Sequence, residues 1–271
     1  MRPRSQSEDS VIAGFPEFWR RIHGAYPLFF AVAKRLEPLT NKLLGRPATG
    51  GGPARQLCEV LRRSAGVVSN SFGALITLAL NGYGNDAMKI ARGMFDAELI
   101  ASHLSKHPEQ LTEYVDFRAV QVKRMLDLTR KFSPELVERM PQDRAARSER
   151  EFAEVEGRFR DGQRTRSRWT KSTIRNMAEE AGLVDLYLTF FFWASSMHHG
   201  DVVGLALQID KSVLGVDVAP SERWIDTALV IGHGSLIRTL NYYNEVAQMG
   251  MDQEIQQAVD DFKAAWGKLR A

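Results

Sequence analysis

Apolar residues recur three and four positions apart along most of the chain, and glycine and proline interrupt the pattern where helices would end. From Gln56 to Leu80, the residues Leu57, Val60, Leu61, Val67, Val68, Phe72, Leu75, Ile76 and Ala79 keep the spacing of one helical face. Upstream, Phe15–Leu44 reads as an apolar-rich helix bent at Pro27 and Pro38. Gly45-Arg46-Pro47 stops it, and Ala48–Pro53 is a short linker. Downstream, Gly82-Tyr83-Gly84 breaks the pattern and Asn85 caps a helix running to about Ser105. Pro108 and Pro134 stand at first-turn positions of two more helices, the first reaching Lys131.

After Pro141 comes a highly charged stretch to Arg168. Phe152, Val155 and Phe159 give it one narrow apolar stripe, which predicts a protruding surface helix. Ser172–Ala181 predicts a short helix, Leu183–His199 a buried one, Pro220 to about Met249 a long amphipathic one, and Asp252–Leu269 the last. A strand is arguable only over Val202–Val218. The expected fold is all-α, a multi-helix bundle of about eight to ten helices with a charged protruding helix or arm. Residues 1–53 are expected to form an N-terminal helix and linker packing on the core. Residues 54–271 form the helical core domain, with the charged arm at 134–168. No internal repeat is evident.

Composition narrows the class without naming a reaction. The 271 residues are 44% hydrophobic and 25% charged, which excludes collagen-like and wholly disordered chains. A net charge of +3 is too small to imply a polyanionic partner by itself. The single cysteine, Cys58, excludes an intramolecular disulfide and any cysteine-based zinc cluster. Met1–Ser10 is polar, with no apolar segment of signal-peptide type behind it, and the apolar stretch Leu183–Met197 is short for a bilayer span. A soluble, cytoplasmic protein with no membrane partner is expected.

The chemistry concentrates in two segments. Arg92 and Asp96 stand four apart in a helix otherwise rich in small and apolar residues, and His103 continues their stripe. A charged pair in such surroundings is partly buried, and either registers two helices or faces a ligand. The second segment is Ser195-Ser196-Met197-His198-His199-Gly200. There Ser195 stands four before His199 and is placed to orient its imidazole, while His198 points about 100° away around the helix. The preceding run Phe190-Phe191-Phe192-Trp193 reads as core, four large rings buried nearly all round.

Weaker signals were weighed beside these. Gly50-Gly51-Gly52 lacks the Lys and Ser/Thr of a phosphate loop. His103-x-x-x-His107 has two-ligand zinc spacing, but Pro108 distorts it, and no metal site is assigned there. A metal held by His103, His199 and Asp96 is a third, lesser alternative, and no cofactor is expected. Arg158, Arg160, Arg164, Arg166, Arg168 and Lys171 stand against one acid, Asp161. With Trp169 available for stacking, they offer either a nucleic-acid surface or a solvated loop.

Arg92-x-x-x-Asp96, Trp169, the run from Ser172 to Gly182 and the aromatic helix ending Ser195-Ser-x-x-His199-Gly200 together resemble domain-of-unknown-function family 5677, over roughly Gln56 to Leu207. The resemblance implies a bacterial, helical protein and supplies no reaction. The family pattern usually has Glu where this chain has Asp96, and a hydrophobic residue where it has His198.

Two functions follow as expectations. In the first, Arg92, Asp96 and His199 form an inter-helix site, with Ser195, His103 and Trp169 as further ligand-binding residues. This site binds or processes a phosphate-bearing ligand, a nucleotide or RNA: Arg92 holds the phosphate, His199 moves a proton and Asp96 orients one of them. In the second, the chain is a non-catalytic protein-interaction module whose partner surface is the arm 134–168, and the polar cluster is structural.

Overall fold

A computed structural model describes residues 16–46, 52–206, 209–210, 215–216 and 220–269. It is all-α, with ten α-helices of at least seven residues among the described residues and two minute two-stranded ribbons. No helix among them is long and apolar enough to cross a membrane.

The chain divides into two compact units. The first comprises residues 1–105 and 174–271, the second 106–173. The second unit thus begins well before the arm expected at 134–168.

In the first unit, helix α1 (Pro16–Ala25) and helix α2 (Pro27–Leu44) are separate because Tyr26 leaves helical geometry and Pro27 sits at the first position of α2. Pro38 lies inside α2 without ending it. Helix α3 (Gly52–Leu80) follows; most of the linker expected at Ala48–Pro53 lies outside the described residues. Helix α4 (Gly84–Lys106) opens at Gly84, where an added Cβ would lie 1.9 Å from the carbonyl oxygen of Arg223. Only glycine lets the two backbones approach so closely.

Helix α12 (Ile225–Ala247) is buried along most of its length and packs against α3, α2 and α13 (Asp252–Leu269). Gly232 of α12 receives Leu75 of α3, whose Cδ1 would stand 2.7 Å from a Cβ there. Leu75 is fully buried, a burial worth about 1.5–3 kcal/mol. The helix begins at Ile225 rather than at Pro220, because Trp224 takes a left-handed conformation and Ser221 bridges to Tyr83 instead of coiling.

Helices α8 (Ile174–Glu180), α9 (Val184–Leu186), α10 (Phe192–His199) and α11 (Val202–Ala206) complete this unit. A ribbon of β3 (Ile209–Asp210) with β4 (Gly215–Val216) occupies part of the segment where a strand was arguable. The helix expected over Leu183–His199 is not one regular helix. It contains a π-helical turn at Tyr187–Phe191 between α9 and α10.

The second unit contains a 3₁₀ turn at Pro108–Gln110 and helices α5 (Leu111–Phe132), α6 (Pro134–Glu138) and α7 (Gln142–Val155). Beyond α7 the chain forms an antiparallel ribbon, β1 (Arg160–Asp161) with β2 (Arg164–Thr165), where the expected surface helix was to fray near Gly157 and Gly162. Gly162, at φ +61°, makes that turn possible. Phe159 is fully buried and packs edge-on against Phe117.

Candidate functional site

Helix α4 carries the site because its sequence alternates groups that fill the core with a few that cannot be left alone there. Arg92 and Asp96, one turn apart, pair at 3.2 Å through Nη1 and Oδ2, and their side chains are 19% and 27% exposed. Arg92 Nε donates to Ser195 Oγ of α10 at 2.8 Å, and its guanidinium lies 4.9 Å from the ring centre of Phe191. Carboxylate, hydroxyl and aromatic ring therefore fix the guanidinium on three sides. The π-helical turn places Phe191 there, a common use of such turns beside functional groups.

Ser195 was expected to orient His199. It accepts from Arg92 instead, in a charge-assisted hydrogen bond. Burial pushes the Asp96 carboxyl above its usual range, against the opposing pull of Arg92 and then His198. Its second oxygen, Oδ1, is buried and has no hydrogen-bond partner among the described residues. A buried acceptor in that state costs free energy until something donates to it.

The two histidines at the end of α10 are both exposed, and their rings meet edge-on with centres 5.1 Å apart. His198 is the one that acts electrostatically on Asp96, while His199 acts on Asp201. Local geometry accounts for the second pairing. Gly200, at φ +61°, closes α10 in the left-handed region, and Asp201 then caps α11 by accepting from the backbone N–H groups of Val203 at 3.0 Å and Gly204 at 2.9 Å. Those contacts, with the Gly204 amide first, hold the Asp201 carboxyl below the usual range.

Other expected site residues lie elsewhere. His103 is 3% exposed and its Nδ1 bonds Glu180 at 2.7 Å, a partnership that sequence spacing did not suggest. Trp169 belongs to the second unit. It is 9% exposed and meets Tyr114 edge-on at 5.1 Å, so burial withholds its ring from stacking on a base. Of the basic run, Arg158 pairs with Asp116, Arg160 with Glu156, and Arg166 donates to the Arg158 carbonyl. Arg164, Arg168 and Lys171 stay exposed. The aromatic run is not all core: Phe190 is 3% exposed, but Phe192 is 54% and Trp193 38% exposed. The π-helical turn shifts their angular position around the axis, and the reading of four rings buried nearly all round is corrected accordingly.

A second polar group escaped the sequence altogether. Glu98 of α4 is fully buried. It accepts from Ser235 Oγ at 2.7 Å and from two nitrogens of Arg238, Nη2 at 3.1 Å, both on α12. Burial would lower the Arg238 pKa, but the charge and hydrogen bonds of Glu98 outweigh it and raise it. Glu98 was the detectable signal, a charged residue on the apolar face of a helix; its partner, 140 positions on, was not.

No curated protein and no solved structure matches the chain. The family model described as a family of unknown function (DUF5677) matches residues 59–213, more than half of the chain and the segment holding Arg92, Asp96, Ser195 and His199. The protein therefore belongs to the DUF5677 family.

Proposed function

We propose that the half-buried cluster of Arg92, Asp96 and Ser195, flanked by His198 and His199, binds a phosphate-bearing small molecule, and that a nucleotide suits its chemistry. The observation that supports this is the unfinished state of Asp96: a buried carboxylate oxygen without a partner, beside a guanidinium already held in place. A sugar hydroxyl donates to that oxygen, and the outer edge of Arg92 donates to the phosphate.

The pair Arg92–Asp96 is neutral as a whole, which would weaken attraction for an anion. Burial already disfavours the charge on Asp96, and an arriving phosphate disfavours it further. Binding is therefore coupled to proton uptake at Asp96, which frees the charge of Arg92 for the ligand. Any proton transfer to the ligand would fall to His199, exposed at the helix end beside Asp201.

Calorimetric titration of the full chain with ATP and with inorganic phosphate tests the reading. Arg92→Lys keeps the charge but loses the planar fork, and should weaken ATP binding at least about tenfold with little change in melting temperature. Equal binding by the native chain and Arg92→Lys, or none by the native chain, contradicts it.

A second reading has its own observation. Helices α5 and α7 border a groove of about 330 Å³ lined by Val122, Met125, Leu126, Met140 and Ala145. Nearby Leu128, Phe132 and Leu136 are 51%, 70% and 49% exposed. We propose that this groove, formed by α5 together with the start of the arm expected at 134–168, accepts the apolar face of a partner's helix, since its methionines adapt to such a face. Met125→Lys with Leu128→Lys should abolish binding of a co-purifying partner without lowering the melting temperature. Retained binding would count against it.

A further inference from the structure

A cavity of about 380 Å³ opens in the first unit, bordered by α1, α2, α3 and one residue of α12. None of the phosphate-site residues lines it. Phe30, Phe72 and Leu236 are among its apolar walls and His23, Asn41 and Ser69 among its polar ones, and its size falls in the range of small-molecule sites.

Of the polar residues in its wall, Thr40 is the buried one. Thr40 is 4% exposed, and its Oγ1 is buried with no hydrogen-bond partner among the described residues. Helical threonines ordinarily return their hydroxyl to the carbonyl four residues earlier. Thr77, Thr129, Thr189 and Thr239 each do so here, at 2.7–2.9 Å. Thr40 leaves its hydroxyl unspent at the cavity wall. Pro38, inside the same helix, has no N–H to offer the Lys34 carbonyl.

The charge around the cavity selects the ligand further. Lys34 and Glu37, one turn apart and both exposed, line it with opposite signs, so no net field favours an ion. We propose that this cavity is a binding site for an uncharged, largely apolar small molecule carrying one hydrogen-bonding head, which the Thr40 hydroxyl receives.

The full chain is titrated with n-octanol and with octanoate by displacement of the neutral dye Nile red. The native protein should bind n-octanol saturably and octanoate at least about tenfold more weakly, since the cavity offers the carboxylate no net charge. Thr40→Val removes the hydroxyl at constant shape. It should cost about tenfold in n-octanol affinity and leave the melting temperature unchanged or raised, because the orphaned polar group is gone. Gly73→Leu fills the groove from a position whose added Cβ meets nothing within 4 Å, and should abolish binding with the fold intact. Absence of saturable displacement in the native chain overturns the proposal. So does equal affinity for octanoate, or unaltered n-octanol binding in Thr40→Val or Gly73→Leu.

Discussion

The carboxylate of Glu98, fully buried in α4, is clasped by the guanidinium of Arg238 from α12, with Nη2 to Oε2 at 3.1 Å and Ser235 completing the shell. This ion pair joins two long helices of the first unit across the core. Tyr242, one turn beyond Arg238, shares its surroundings: burial raises the phenol pKa, Ser102 opposes that, and Glu98 adds to it.

Removing one partner leaves the other buried and uncompensated. Arg238→Ala should destabilise the chain by about 3–5 kcal/mol in urea unfolding. Replacing both at once, Glu98→Leu with Arg238→Met, should recover most of that loss. If the double variant is no more stable than Arg238→Ala, the pair is not an isolated electrostatic unit.

A histidine in the same core makes stability depend on pH. His233 is fully buried, with Nδ1 2.8 Å from the Leu229 carbonyl and Nε2 2.9 Å from the Phe29 carbonyl. Both carbonyls favour the doubly protonated ring, yet burial outweighs them and pulls its pKa from 6.5 down to about 4. The unfolded chain therefore binds a proton that the folded chain refuses. The contribution is whole above pH 6.5 and lost as pH falls toward about 4, amounting to about 3 kcal/mol. Urea midpoints measured from pH 7 to pH 5 should fall accordingly, and His233→Phe should flatten the dependence. An unchanged slope in that variant would refute the assignment.

The split of the aromatic run has a direct test. Phe190→Ala should cost about 3–5 kcal/mol, as expected for a buried ring that meets Phe95 edge-on at 6.0 Å. Phe192→Ser, on a ring more than half exposed, should stay within about 0.5 kcal/mol of the native chain. Comparable losses would mean that Phe192 is covered.

The close contact of α11 with α10 should be as sensitive. A Cβ on Gly204 would lie 2.1 Å from the Ser196 carbonyl oxygen. Gly204→Ala should therefore push α11 away, uncap it by separating Asp201 from the Gly204 amide, and lower the melting temperature by several degrees. An unaltered melting curve would show that this contact is relaxed in solution.

The helices were legible where their ends are written locally: Gly45 closes α2 and Gly200 ends α10, whereas Pro27, expected as a bend within one helix, opens α2. The Arg92–Asp96 pair was legible for the same reason, being four residues apart on one helix. What sequence could not supply was angular phase across an irregularity and contacts between distant segments. The π-helical turn at Tyr187–Phe191 altered which rings face the core, and the left-handed Gly200 with the Asp201 cap drew His199 toward Asp201 while His198 acts on Asp96. Glu98 and Arg238 are separated by 140 positions, and nothing in either segment names the other. Trp169 looked available because its neighbours are charged, whereas Tyr114, far upstream, helps to bury it.

Under the proposed binding of a phosphate beside Arg92, Asp96 takes up a proton. Burial raises the Asp96 pKa and an anion raises it further, so the bound state holds more protons than the free one. ATP affinity measured calorimetrically between pH 5 and pH 8, native chain against Asp96→Asn, tests this most directly. The native chain should bind more tightly as pH falls, while Asp96→Asn, a permanent mimic of the neutral carboxyl, should bind at least as tightly with a flatter profile. Weaker binding by Asp96→Asn, or identical pH profiles for the two proteins, would contradict it.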